Sequence, residues 1–479
     1  MNRSGRGTAA LTWLSATAAF AIIGCTWALS IARYGGPDEP AHVIRAAATA
    51  HGDLRGQPVA RLEPGYRQVT VAAALATGDP ACFRHNETTT AACAVASNAT
   101  DDVHVATSAG TAPPWYYGIV GIITRVLSDG RSVMAYRMAN VLLCALVLGY
   151  AMARAIGYRR GSWLLLALTP SSWFLFGVVG TSAPEIALVT LALVEAVGGF
   201  HSSPRPQSLW RVTVPLAVCL VLRPTALIDI AVVALVLFPT LHRPLTARLV
   251  ALLSLPIVIA GIASVAWSRW TGLVVSDRRT ADSDAFAPAL WRSLRGIQLT
   301  AHQAIGAMGW NEFFAPFLAQ IMWVATLAFA AAWVVRNTQD RWWHVRWIAL
   351  GLLLPTVVEV ILHRRIGLIW QGRYSIPFAM AGVFYGGRGP RPAEAMMRGL
   401  VIAAACAEVL TLWQTLRRFM VGLDGSMTLQ GAAWRPPLNP WLLLAVNAAG
   451  IAWLALIALS SDADDPDRPP TRTLSLTSS

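Results

Sequence analysis

Long apolar runs recur from Ala9 to Leu459, each closed by arginine or by a stretch rich in Gly, Pro, Asn or Asp. A helix needs about 20 residues to cross a bilayer. By that measure the first run covers 9–32. Further runs cover 132–153, 161–179, 184–200, 211–222, 224–241, 248–267, 316–336, 346–363, 374–387, 397–416 and 440–459. Continuous apolar runs in lipid require backbone groups that are satisfied within the segment. The pattern therefore predicts an all-α integral membrane protein of about twelve transmembrane helices. Pro224 leaves one choice open, since 211–222 and 224–241 are either two spans or one kinked helix.

A long polar region, 33–131, follows the first run. Near its end, Pro113-Pro114-Trp115-Tyr116-Tyr117 opens an apolar stretch to Leu127. This stretch is short for a span and suits an interfacial helix with its aromatic residues at the headgroups. Read so, one side collects Arg154, Arg159 and Arg160; Arg205 and Arg211; Arg243 and Arg248; Arg336, Arg341 and Arg346; and Arg388, Arg391 and Arg398. The positive-inside rule makes that side cytoplasmic. Both termini are then cytoplasmic, and 33–131 is a long first extracytoplasmic loop. Residues 1–460 read as one polytopic unit, and 461–479 as a disordered cytoplasmic tail. The first run is longer than a signal-peptide core, so it reads as a retained anchor.

The chain has 479 residues, 55% of them hydrophobic and 13% charged. Mean hydropathy is +0.51, and soluble domains carry about 25% charged residues. The net charge of +13 does not indicate nucleic acid. The arginines punctuate apolar runs and are not gathered on one face or tail. Four cysteines lie in apolar runs, whereas Cys82 and Cys93 share the polar loop and could close a disulfide in an oxidising compartment.

Three polar groups could carry chemistry. Pro37-Asp38-Glu39-Pro40-Ala41-His42 stands just past the first run. One reading makes Asp38 the cap of a helix running to about His51, with Pro40 in its first turn and Gly52 at its end. That reading uses neither Glu39 nor His42, which shares a helical face with Asp38. The other reading makes the paired acids a general base or the holders of a divalent cation, with His42 as proton partner or third ligand. Second, His363-Arg364-Arg365 and Gln371-Gly372-Arg373-Tyr374 put arginines on the outer side, against the orientation rule; guanidinium groups there suit a phosphate. Third, Glu185 sits at the outer end of its span and faces the same compartment as Asp38.

These residues resemble the GT-C superfamily of membrane glycosyltransferases, which use polyprenyl-phosphate-linked sugars. More closely, they resemble an uncharacterised bacterial family of predicted multi-spanning membrane proteins grouped with it. The resemblance is carried by Pro37 to His42, Pro113 to Tyr117, Arg137-Met138-Ala139-Asn140, Thr169-Pro170-Ser171 and Gln371 to Tyr374, in that order along the chain. It implies a GT-C-like helical bundle in the bacterial plasma membrane. The donor would be a polyprenyl-phosphate sugar and the acceptor an envelope glycan, lipid or protein. Asp38, with Glu39 beside it, would activate the acceptor, with His42 close by. Glu185 stands where the family has an acid, usually Asp. Arg373, with Tyr374, Gln371, Arg364 and Arg365, would hold the lipid phosphate. No cofactor is fixed, and a divalent cation on Asp38 and Glu39 stays open. The alternative functions are a transporter or flippase, or a non-catalytic component of an envelope polysaccharide assembly complex.

Overall fold

The computed structural model describes residues 3–59, 65–97, 99, 101–128, 130–199, 206–237, 246–272, 285–337, 353–361, 363, 370–386 and 392–463. Arg364, Arg365 and nearly all of the predicted tail lie outside them. Among the described residues, six helices are long and apolar enough to cross a membrane: Gly7–Ser30, Val133–Gly157, Ala251–Thr271, Phe317–Asn337, Glu394–Met420 and Pro440–Ser460. Each falls on a predicted run. The hub is α1 (Arg3–Ser30), which packs along both Val133–Gly157 and Pro440–Ala463.

The other runs are shorter or broken, and local sequence explains it. Residues 161–179 do not form one span. They form the helices Gly161–Ala167 and Pro170–Phe176. Pro170 cannot continue a helix but can start one, and Thr169 caps it, Oγ1 accepting from Ser172 N at 3.2 Å. The choice at Pro224 resolves into two elements. Arg223 is extended (φ −157°, ψ 119°) between Pro206–Leu222 and a 3-10 turn Pro224–Ala226, which leads into Leu227–Leu237. The run 184–200 is the helix Ser182–Gly198, and 374–387 is Ile376–Gly386 behind a 3-10 turn Gly372–Ser375. Of 346–363, only 353–361 and 363 are described. Among the described residues, six full-length spans and a set of shorter apolar helices thus occupy the predicted runs.

The region after the first span is folded and is not purely helical. It starts with α2 (Glu39–Ala50). An antiparallel sheet follows, in the order β1 (Gln57–Pro58), β2 (Arg67–Ala72), β3 (Asp102–Thr107), with Val69 opposite Val105. Alternation along β2 buries Val69 and Val71 and exposes Gln68 and Thr70. The region ends in α3 (Pro114–Ser128), which packs on α2. Its outward stripe of Trp115, Ile119, Ile122 and Val126 recurs at helical spacing and gives the helix one exposed apolar face. A further amphipathic helix, Phe286–Gly306, lies between the runs 248–267 and 316–336, where the hydropathy pattern predicts no span.

Cys82 and Cys93 are disulfide-bonded, with Cα atoms 6.1 Å apart. The buried Arg418 holds their loop onto the bundle. It donates to the carbonyls of Thr89 (2.6 Å), Phe83 (2.8 Å) and Asn86 (3.0 Å), and to Glu312 Oε1 (3.0 Å). Both members of the Arg418–Glu312 pair are at most 1% exposed. Removing one partner strands the other's charge in a dry site. Arg418→Met should therefore destabilise the protein by about 3–5 kcal/mol, and the added change Glu312→Gln should recover part of the loss, read by thermal unfolding in detergent.

Candidate active site

The site is organised by Arg137, on the second turn of α4 (Val133–Gly157). The last carbonyls of a helix have no partner within it. Arg137 supplies them at the end of α1, donating to Ala28 O (2.9 Å), Ile31 O (2.6 Å) and Ala32 O (2.7 Å). Its Nε and Nη2 also grip Glu39, both at 2.7 Å. Glu39 Oε1 further accepts from Val179 N at 3.2 Å. One turn along α4, Asn140 donates to Phe176 O and Val178 O and accepts from Tyr116 OH. Gly36 allows this close assembly, since a Cβ there would lie 2.1 Å from Val178 Cγ1.

Glu39 is 0% exposed and both its oxygens are engaged. It cannot reach a substrate, and it cannot join Asp38 in holding a cation. Among the described residues, no group of three or more His, Cys, Asp or Glu is placed to hold a metal ion.

Asp38 behaves otherwise. It occupies the N-cap position of α2, but in the left-handed conformation (φ 60°) and with no side-chain cap bond. The carboxylate turns away from the helix and accepts from Arg373 Nη2 at 2.7 Å. The cap reading is therefore overturned by geometry. Gly372 lets Arg373 approach, because a Cβ there would lie 2.3 Å from Gln303 Cβ and 2.4 Å from Ala304 N.

Asp38 and Arg373 line a cavity of about 370 Å³, together with His42, Tyr117, Arg223 and Tyr374. The guanidinium groups of Arg223 and Arg373 lie 4.6 Å and 5.2 Å from the centre of the Tyr374 ring. Arg373 also donates to Tyr374 OH at 3.2 Å. His42 Nδ1 lies 2.8 Å from Tyr117 OH, with the two rings stacked. Glu185 does not line the cavity. It stands behind Arg223, accepting from Nη1 at 2.8 Å, with Asp229 hydrogen-bonded to it. Gln371 is also set back, its Oε1 accepting from Asn311 Nδ2 at 3.2 Å. Sequence reasoning named Asp38, His42, Arg373 and Tyr374 for this site and missed Arg223 and Tyr117. An arginine next to proline inside an apolar run was the available signal for Arg223.

Burial pushes the Asp38 carboxyl up, but Arg373, His42 and Arg223 outweigh it and hold the group below the usual range. Burial drives His42 the other way, down to about 4, with Arg373 and Arg223 adding to the effect and Asp38 opposing it. The site at neutral pH thus pairs an ionised carboxylate with a neutral imidazole.

A helical bundle with a polar, arginine-lined cavity past the end of its first span defines an integral membrane protein with a charged site beyond that span. The chain belongs to the family described as predicted membrane protein (DUF2142), whose model matches residues 20–381 and so takes in both Asp38 and Arg373. The crystal structure of ArnT from Cupriavidus metallidurans bound to undecaprenyl phosphate is similar over 94% of this chain and 76% of that chain, at 14% identity and a TM-score of 0.44. No curated protein matches the chain.

Two outcomes check the geometry. Glu39→Gln should cost about 3–5 kcal/mol of stability, because Arg137 is left buried without a counter-charge. Asp38→Asn, at a pair whose carboxylate side chain is 48% exposed, should cost about 1 kcal/mol or less; equal losses would contradict the separate roles. The His42 ring should show no titration near its ordinary value in NMR of histidine-labelled protein, its signal assigned by its loss in His42→Gln. Because its folded value lies below the unfolded one of about 6.5, its contribution to stability should fall as pH drops from about 6.5 towards about 4.

Proposed function

We propose that this protein is an inverting glycosyltransferase at the outer face of the bacterial plasma membrane, with both termini cytoplasmic. It takes a sugar from a polyprenyl-phosphate donor and passes it to a hydroxyl of an envelope glycan, lipid or protein. The observation that carries the reading is the meeting of Asp38 and Arg373, at 2.7 Å, in one cavity that also holds a second arginine, Arg223. A base opposed to two guanidinium groups is what attack by a hydroxyl on a carbon bearing a phosphate leaving group requires. The lipid class rests on the motif resemblance and on a neighbouring apolar groove of about 380 Å³. Leu220, Leu227, Gly261 and Val265 line that groove, and Pro224 lines both it and the polar cavity.

In this reading the donor's phosphate competes with Asp38 for Arg373. Its arrival frees the carboxylate as it fills the cradle. Asp38 then takes the acceptor's proton while the acceptor oxygen bonds to the anomeric carbon. The bond from that carbon to the phosphate oxygen breaks, and the electron pair leaves with the lipid phosphate. Arg373 and Arg223 stabilise the charge that develops there. Glu185 keeps Arg223 oriented, and neutral His42 borders the acceptor side without holding charge. Glu39 acts through the backbone, by fixing where Asp38 begins.

Asp38→Asn should lower transfer about 10²- to 10⁴-fold, with expression retained and the melting temperature lowered only slightly. The assay uses purified protein and a panel of polyprenyl-phosphate monosaccharides with envelope extract as acceptor. Full transfer by that variant would sink the assignment.

A further inference from the structure

A second polar cluster lies inside the bundle, away from the cavity. Glu408 stands near the middle of the span Glu394–Met420 and is 1% exposed. Its Oε1 accepts from Trp27 Nε1 at 2.7 Å, on α1, and from Asn447 Nδ2 at 3.1 Å, on the span Pro440–Ser460. Asn447 Nδ2 also donates to Thr26 Oγ1 at 2.9 Å. The 0%-exposed Asn447 and Glu408 each keep one orphan, Asn447 Oδ1 and Glu408 Oε2, both buried without a hydrogen-bond partner.

The span carrying Glu408 packs on α1, the 3-10 turn Ala91–Cys93, Gly161–Ala167, Pro170–Phe176, Phe317–Asn337 and Pro440–Ala463. Among the described residues, no charged or titratable side chain of these elements acts on it; its polar partners are Trp27 and Asn447. Arg418, on its own helix, is committed to Glu312. An ionised carboxylate in a membrane interior with no cation is costly, and so is an acceptor left without a donor. Two orphan acceptors on side chains already joined by one hydrogen bond lack a single hydrogen. An acid and an amide satisfy each other completely when the acid's O–H donates to the amide oxygen and its carbonyl accepts from the amide N–H.

We propose that Glu408 is a proton-binding site whose Oε2–H donates to Asn447 Oδ1. The proton joins three spans, α1, Glu394–Met420 and Pro440–Ser460, in one hydrogen-bonded cluster. It is part of the fold and is independent of the reaction assigned to the cavity. Folding above about pH 4.3, where an unfolded Glu is ionised, then takes up a proton, so this group's contribution to stability declines as pH rises. Glu408→Gln replaces the O–H donor by an N–H donor at nearly constant shape and removes that dependence.

The experiment compares purified wild type and Glu408→Gln in detergent. The infrared difference spectrum at about pH 7 should contain the carbonyl stretch of a protonated carboxyl, present in the wild type and absent in the variant. The melting temperature of the variant relative to wild type should rise as pH is raised from about 5 to about 8, and sodium should leave both unchanged. A difference spectrum showing only carboxylate, or a pH-independent difference in melting, overturns the proposal. Sodium-dependent stabilisation of the wild type that is lost in the variant also overturns it, because the orphan oxygens would then be ligands of a cation. If the variant fails to accumulate, the wild type alone decides: its melting temperature should respond to pH over this range and not to sodium.

Discussion

The cavity depends on the five N–H hydrogens of one guanidinium group. Arg137 uses Nη1 for two carbonyls at the end of α1, Nη2 for a third carbonyl and one Glu39 oxygen, and Nε for the other. Every donor of the fork is satisfied. The end of a membrane span, the start of the next helix and the chain at Val179 are thereby fixed to α4. Asp38 is the residue immediately before Glu39, so the same anchor sets where its backbone lies. The left-handed conformation at Asp38, tolerated by Asp better than by most residues, then turns its carboxylate away from its own helix and towards Arg373.

Around the cavity, charges come in two pairs: Asp38 with Arg373 and Glu185 with Arg223. They differ in access. The Asp38 side chain is 48% exposed, whereas that of Glu185 is 10% exposed. In the proposed reaction, an anion entering the cavity meets the Asp38–Arg373 pair first and exchanges one carboxylate for its own oxygens. The Glu185–Arg223 pair is more enclosed and acts as a fixed wall. Tyr374 contacts both guanidinium groups. This asymmetry gives the two acidic residues different work, although both carry the same charge into the same region.

The elements of the bundle were legible where the sequence pattern is locally sufficient. Full-length apolar runs became spans, the aromatic stretch after Pro113 became the helix α3, and Pro40 and Gly52 bound α2 at its two ends. Interruptions were less legible. Pro170 breaks a run long enough to hide the break, which the capping at Thr169 reveals, whereas Pro224 left two readings open and the extended backbone at Arg223 decides between them. The small sheet was missed because its strands are short and paired across a disulfide-closed loop, so no long alternating run exists to announce it. In the site, residue type pointed to Asp38 and Arg373, but adjacency misled at Glu39. Two neighbouring acids on a helix start face different ways, and which of them is buried is decided by Arg137, 98 residues further on. Arg223 contacts the cavity only because the chain breaks beside it.

The most direct measurement is a density map of the protein with a polyprenyl-phosphate analogue bound. The account predicts phosphate density in the cavity between Arg373 and Arg223, with Arg373 drawn off Asp38 and the prenyl chain leaving past Pro224 into the apolar groove. Phosphate density at the opposite, cytoplasmic end of the bundle, with the Asp38–Arg373 pair intact, would contradict both the site and the side of the membrane on which it works.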